Sequence, residues 1–167
     1  MQPRKIALIN QPFGTVSPKL QRGSIAIWVY QMAQQLTKTH NITIYARQVA
    51  GEATQEVADG ITYRRFSVSV DKVLAMAQDW WGGRQLVDKR PSFASPAYYR
   101  SYITRIARDI HQQQIDVVHI NNFFQFVPII RRYNPQAKII LHMQCEWLTQ
   151  ISPTIVQPIL DQLDAVS

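Results

Sequence analysis

The chain has 167 residues, 46% hydrophobic and 17% charged, enough apolar material for one buried core and too little polarity for a disordered chain. A formal net charge of +7 would draw phosphates, whether in nucleic acid, anionic lipid or a phosphorylated ligand. The single cysteine, Cys145, excludes an internal disulfide framework, no run reaches the roughly eighteen apolar residues of a membrane span, and MQPRKIALIN lacks a signal-peptide core, so the cytosol is the expected compartment.

Residues 5–10 (KIALIN) read as a short buried strand, followed over 11–23 by a Pro- and Gly-punctuated loop. Ser24 fits a helix N-cap, because Ile25, Trp28, Val29, Met32, Ala33 and Leu36 fall three and four apart along one helical face that ends near His40. Residues 41–46 (NITIYA) alternate and are β-branched, a second strand, and Asp59-Gly60 turns the chain into a third over 61–66. The Asn41-Ile42-Thr43 sequon falls inside that second strand and reads as strand residues.

Residues 70–96 carry an apolar patch at 73–77, the pair Trp80-Trp81 and two glycines, and read as an irregular or helical insertion. Ser95-Pro96 is a helix-start signal, with Tyr99, Tyr102, Ile103, Ile106 and Ile110 as the buried stripe. Residues 115–120 (IDVVHI) and 138–143 (KIILHM) are apolar on both faces, as inner strands of a parallel sheet are, with a short helix over 124–133 between them, stopped by Asn134-Pro135. Residues 158–167 read as a helix running into LDAVS, the beginning of a strand. The pattern predicts an α/β fold: a Rossmann-like three-layer domain with a mostly parallel sheet in order 3-2-1-4-5 and a sixth strand starting at the end.

In such a sheet ligands bind outside the carboxyl ends of the strands, where strand order reverses. Three loops meet there: residues 11–24, 121–123 and 142–146. The first brings Gly14, Gly23 and Ser24 to the start of a helix, where free N–H groups and the helix dipole favour a phosphate; the same residues serve equally as turn and cap residues. No G-x-G-x-x-G follows the first strand, which excludes the dinucleotide fingerprint, and Asn10-Gln11 stand where a phosphoacceptor site would need acids. His142 closes an apolar strand at the crevice, placed either to orient a hydroxyl or phosphate and move a proton, or to satisfy local backbone groups. Asn121, Asn122 and Glu146 are the other cleft candidates. His142, Cys145 and Glu146 make neither a zinc site nor a cysteine nucleophile, for want of further ligands and of an oxyanion motif.

Residues 80–108 hold Arg84, Lys89, Arg90, Arg100, Arg105 and Arg108 against Asp88 alone, interleaved with Trp80, Trp81, Phe93, Tyr98 and Tyr99. That composition suits an anionic acceptor, a membrane interface or single-stranded nucleic acid, and also a solvated basic helix face with its aromatics in the core. Arg84, Lys89 and Arg90 are the acceptor or membrane candidates.

The order KIALINQPFG, RGSIAIWVYQMAQQLTKTHNITIYAR, DVVHINN, KIILHMQCEW and LDAVS resembles the N-terminal domain of a family-4 (group 1) glycosyltransferase of GT-B architecture, over nearly the whole chain. Met32-Ala33-Gln34-Gln35-Leu36 and His40-Asn41-Ile42-Thr43 stand where that family has its helix rhythm and its following strand. The resemblance implies a single acceptor-side domain over 1–167, with the donor-binding C-terminal domain outside this chain. It implies that Gly23 and Ser24 approach the donor diphosphate, and that His142 lies near the transferred sugar. It further implies transfer from a nucleotide-sugar to a lipid, polysaccharide or small-molecule acceptor, with retention of anomeric configuration, no tightly bound cofactor and no required metal. A serine replaces the family's second loop glycine, and Gln144-Cys145-Glu146 replace its frequent aspartate. The family's donor-binding glutamate pair, eight positions apart, has no counterpart among Glu52, Glu56 and Glu146, so the chain alone is expected to be inactive. Its partners would be the two substrates, the missing domain and an anionic inner-membrane surface, with nucleic acid disfavoured. The alternative is a non-catalytic module for an anionic glycan, lipid surface or nucleic acid.

Overall fold

A computed structural model describes residues 2–73 and 95–167. In chain order the elements are β1 (Lys5–Ile9), α1 (Ser24–Leu36), β2 (Asn41–Arg47), β3 (Gln55–Ala58), β4 (Ile61–Phe66), α2 (Arg100–Gln113), β5 (Val117–Asn121), α3 (Val127–Tyr133), β6 (Lys138–His142), α4 (Pro153–Leu160) and β7 (Ala165–Val166). Residues 69–73 are also helical, and 3-10 turns occupy Phe124–Phe126 and Glu146–Gln150.

Among the described residues seven strands form one sheet in the order β3-β4-β2-β1-β5-β6-β7. All neighbours are parallel except β3 and β4. The five inner strands realise the order expected from the sequence, and Leu141 pairs with Val166 in the expected additional strand. β1 sits at the reversal, with Ile6 opposite both Ile42 of β2 and Val117 of β5.

Burial divides into two layers, one on each face of the sheet. On one face Leu8, Ile42, Ile44, Ile61 and Tyr63 pack with Ala26, Val29 and Ala33 of α1. On the other, Ile9, Val118, Ile120, Ile139 and Leu141 meet Ile103, Ile106 and Ile110 of α2, Ile130 of α3 and Val156 of α4. β1 sends Ala7 and Ile9 to one layer and Ile6 and Leu8 to the other, and β2 divides Tyr45 from Ile42 and Ile44 in the same way, so period-two alternation places apolar residues on both sides, as a parallel sheet covered by helices requires.

Several local expectations are corrected. The N-cap of α1 is Gly23, not Ser24, which is the first helical residue; the chain reaches α1 through a backbone conformation (φ 92, ψ 156) open essentially to glycine. α2 begins at Arg100 and not at Ser95-Pro96, because Tyr99 takes a left-handed conformation (φ 55) that breaks the run. Its first amides are served by Asp71, whose carboxylate accepts from Ser101 N (2.8 Å) and Tyr102 N (3.0 Å). The last helix starts at Pro153, with Pro158 inside it, five residues before the expected start. β3 was not expected; it pairs antiparallel with β4 around the Asp59-Gly60 turn. The expected insertion over 70–96 lies mostly outside the described residues, as do Arg84, Lys89 and Arg90.

Two charged networks fasten neighbouring segments to the sheet. Asp109 of α2 accepts from Tyr45 Oη (2.8 Å) and from the Arg64 guanidinium. Burial, then the Asp109 charge, pushes the Tyr45 hydroxyl above the ordinary tyrosine range. Arg65, 3% exposed, donates to Ala53 O and Glu56 at 2.8 Å and lies 3.2 Å from Glu52, fastening the segment after β2.

Candidate functional site

The carboxyl ends of β1, β5 and β6 deliver three loops to one edge of the sheet. After β1, Val16 bridges Gln21 antiparallel and Val16 is fully buried, so the loop expected to be irregular is a small closed turn anchored in the core. Arg22 N donates to Thr15 O (3.2 Å) and Ser17 N to Leu20 O (2.8 Å). A cavity of about 200 Å³ opens between this turn and the start of α1, lined by Asn10, Gly14, Arg22, Gly23 and Ser24 among others. Gly14, Gly23 and Ser24, the three loop residues expected from sequence, are therefore brought together. A side chain at Gly14 would meet Arg22 O at 3.0 Å and Asn10 Nδ2 at 3.3 Å, a tight approach that favours glycine there. At Gly23 the space is open and only the backbone conformation demands it.

The start of α1 is electrostatically unfinished. No side chain caps it and no acid stands in its first turn, leaving the partial positive charge of the helix N-terminus uncompensated. Arg22, exposed at the rim, has no acidic partner among the described residues. Asn10, 1% exposed, forms part of the cavity wall with both Oδ1 and Nδ2 lacking a hydrogen-bond partner. A buried amide left unpaired costs about 1–3 kcal/mol, and a ligand with both a donor and acceptors would recover part of that. Asn10 and Arg22 were not among the sequence candidates. The available signals were a polar residue closing a buried strand and an arginine directly before the helix-capping glycine.

The other cleft candidates have local duties. Asn121 Nδ2 donates to Ile9 O (3.0 Å), pinning the end of β5 to β1, and its Oδ1 is unpaired. Asn122, in a left-handed conformation (φ 61), accepts from Gln144 N (2.6 Å) at Oδ1 while its own N donates to His142 O (2.8 Å). Glu146 is exposed at the start of a 3-10 turn, and Cys145 is half-buried.

His142 lies over the α1 face of the sheet. Its ring stacks on Trp28 of α1 with centroids 4.4 Å apart and planes within 9°, and its Nδ1 is 2.8 Å from Ser167 Oγ. His119, diagonal to it on β5, also lies against Trp28 at 5.4 Å. Burial, with a smaller push from the neighbouring His142, lowers His119 to a pKa of about 4, so His119 is neutral at physiological pH. On the opposite side of the edge, Phe13 packs against Tyr99 (5.6 Å) and Phe123 (5.4 Å), and Trp147 against Phe123 (5.7 Å). Among the described residues no group of three His, Cys, Asp or Glu side chains could hold a metal ion, and no helix is long and apolar enough to cross a membrane.

No family model matches the chain, and no curated protein matches it by sequence. Solved structures do. A sucrose-phosphate synthase from Thermosynechococcus elongatus superposes with a TM-score of 0.53 at 12% identity, over 98% of this chain and 41% of that one. An α,α-trehalose-phosphate synthase (UDP-forming) from Burkholderia xenovorans, solved with glucose-6-phosphate, gives 0.55 at 14% identity, over 98% of this chain and 40% of that one. The chain shares their fold. It spans about two fifths of the length of either enzyme.

Proposed function

We propose that the chain is the acceptor-side domain of a retaining glycosyltransferase that draws its sugar from a nucleotide-sugar, with the start of α1 receiving the donor diphosphate. The observation that carries this reading is the unfinished cradle after β1, where among the described residues Asn10 is buried without a partner and Arg22 stands unpaired at the rim, and Gly23 reaches the helix through a glycine-only conformation. Breaking a sugar–phosphate bond leaves negative charge on the departing diphosphate oxygens. A fixed helix N-terminus stabilises that charge without reorganising, and the Arg22 guanidinium at the rim adds a positive charge within reach. The fold shared with two glycosyltransferases supports the same reading.

In this scheme His142, held flat by Trp28, positions the sugar or acceptor hydroxyl, and the exposed Phe13 ring, seated against the buried Phe123, offers an apolar contact to a sugar face. The nucleotide base would be held by a second domain. Residues 1–167 therefore bind sugar nucleotides weakly and do not transfer.

Amide-resolved NMR titration of the chain with UDP, GDP and pyrophosphate tests this. The expected result is saturable perturbation of Ser24, Ile25 and Ala26, lost in Arg22→Gln and weakened about tenfold in Asn10→Leu. Perturbation that is absent, or unchanged in both variants, would overturn the diphosphate assignment. Transfer by the chain alone from any UDP-, GDP- or ADP-sugar would overturn the assignment of the domain.

A further inference from the structure

The opposite face of the sheet carries a second, larger concavity. A groove of about 420 Å³ runs between the start of α2, α3 and α4, within the range of sites that take small organic ligands. Ile129 of α3 and Ile155 and Ile159 of α4 give it an apolar wall, while Arg100 and Arg132 border it. Both guanidiniums are on exposed residues and neither has an acidic partner among the described residues.

Two features set this groove apart from ordinary surface. Gln125, 3% exposed, contributes to the groove lining, and its Oε1 and Nε2 both lack hydrogen-bond partners among the described residues. A buried primary amide without partners is costly to keep. Arg100 occupies the first turn of α2, where its cation opposes the helix dipole beside the Asp71 carboxylate that caps Ser101 N and Tyr102 N. The unpaired Gln125 amide does not help the fold.

We propose that this groove binds a phosphate monoester carried on an apolar body: the two arginines match a charge near −2, Gln125 pairs with the ester or phosphate oxygens, and the isoleucine wall receives the apolar part. The site is independent of the α1 cradle and of the function proposed for it, being built on the other layer of the domain.

The test is isothermal titration of the full chain with n-octyl phosphate below its micelle concentration, inorganic phosphate and 1-octanol. Octyl phosphate is expected to bind one to one and at least about tenfold more tightly than either fragment probe. Arg100→Gln with Arg132→Gln should weaken it by about tenfold or more, and Gln125→Leu several-fold, with far-UV circular dichroism and melting temperature reporting that each variant folds. Ile155→Trp, which fills the groove without touching charge, should also block binding. If vesicles containing phosphatidic acid bind the chain and lose binding in the arginine variant, the ester is a lipid headgroup; if only the monomeric probe binds, it is a soluble ester. Octyl phosphate binding no tighter than inorganic phosphate would overturn the proposal. So would binding that survives the double arginine variant and disappears in Arg22→Gln, since that would put the phosphate in the α1 cradle.

Discussion

Replacing His119 with Leu should remove a pH dependence from the stability of this domain. His119 lies on β5 between Leu8 of β1 and Ile140 of β6, with Trp28 across one face and His142 5.6 Å away, and its Nδ1 is buried without a partner. Its folded-state pKa is lowered from 6.5 to about 4. The unfolded chain therefore binds the proton more readily than the folded one, and stability rises with pH across this interval. The contribution is fully present above pH 6.5 and is lost as pH falls from there towards 4. At pH 5 the loss is about 2 kcal/mol, and it approaches about 3 kcal/mol by pH 4. Urea denaturation of the wild type and His119→Leu at pH 7.5, 6, 5 and 4.5 isolates it, because the carboxylates common to both cancel in the difference. The wild type should lose about 2 kcal/mol more than the variant between pH 7.5 and 5. Parallel profiles would show that His119 takes up its proton in the folded state as easily as in the unfolded chain, and that its burial among Trp28 and the two strands is misjudged.

Gly23→Ala, forced to φ 92, should cost about 1–3 kcal/mol in chemical denaturation despite the empty space around it; an unchanged midpoint would mean that the loop re-routes freely. Asp109→Ala strands the Tyr45 hydroxyl and leaves Arg64 only its bond to Gln55, and should cost about 3 kcal/mol by the same measurement, whereas a loss under 1 kcal/mol would show the network to be solvated. Asp71→Ala uncaps α2 and should cost about 1 kcal/mol, with the added hydrogen exchange confined to the first turn after Arg100.

The inner strands could be read from the sequence because β1, β2, β5 and β6 carry β-branched residues on both faces in short runs bounded by polar residues. β3 escaped because it is a four-residue edge strand, QEVA, whose residues are alternately exposed and half-buried; its composition is that of a loop and only pairing with β4 makes it a strand. The start of α2 escaped for a non-local reason. Ser95-Pro96 is a sound local signal, yet the helix is capped by an aspartate thirty residues upstream, which no window over 90–100 contains. At the last helix the error ran the other way, with the start expected too late at Pro158, because Pro153 already fills the first helical position.

At the site, Gly14 and Gly23 were legible as glycines flanking a helix start. Asn10 was not, because an asparagine at a strand end reads as the first residue of a loop. Its distinction, burial with neither amide atom paired, exists only in three dimensions. Trp28 was placed correctly in the buried stripe of α1, but the stripe does not reveal that its ring lies flat on His142.

The aromatic edge has a bearing on how this surface could be re-engineered. Phe13 comes from the turn after β1, Tyr98 and Tyr99 from the approach to α2, Phe123 from the end of β5 and Trp147 from the turn after β6, and Phe123 touches all the others. Four connections that are separate in sequence thus share one packed nucleus, each ring contact contributing about 0.5–1.5 kcal/mol beyond its buried area. They stiffen together and would loosen together. A graft that exchanges one of these connections for that of another protein alters the footing of the remaining three. New specificity on this surface is therefore better sought by exchanging all four connections together, or by changing only the outward side chains and leaving the five rings in place.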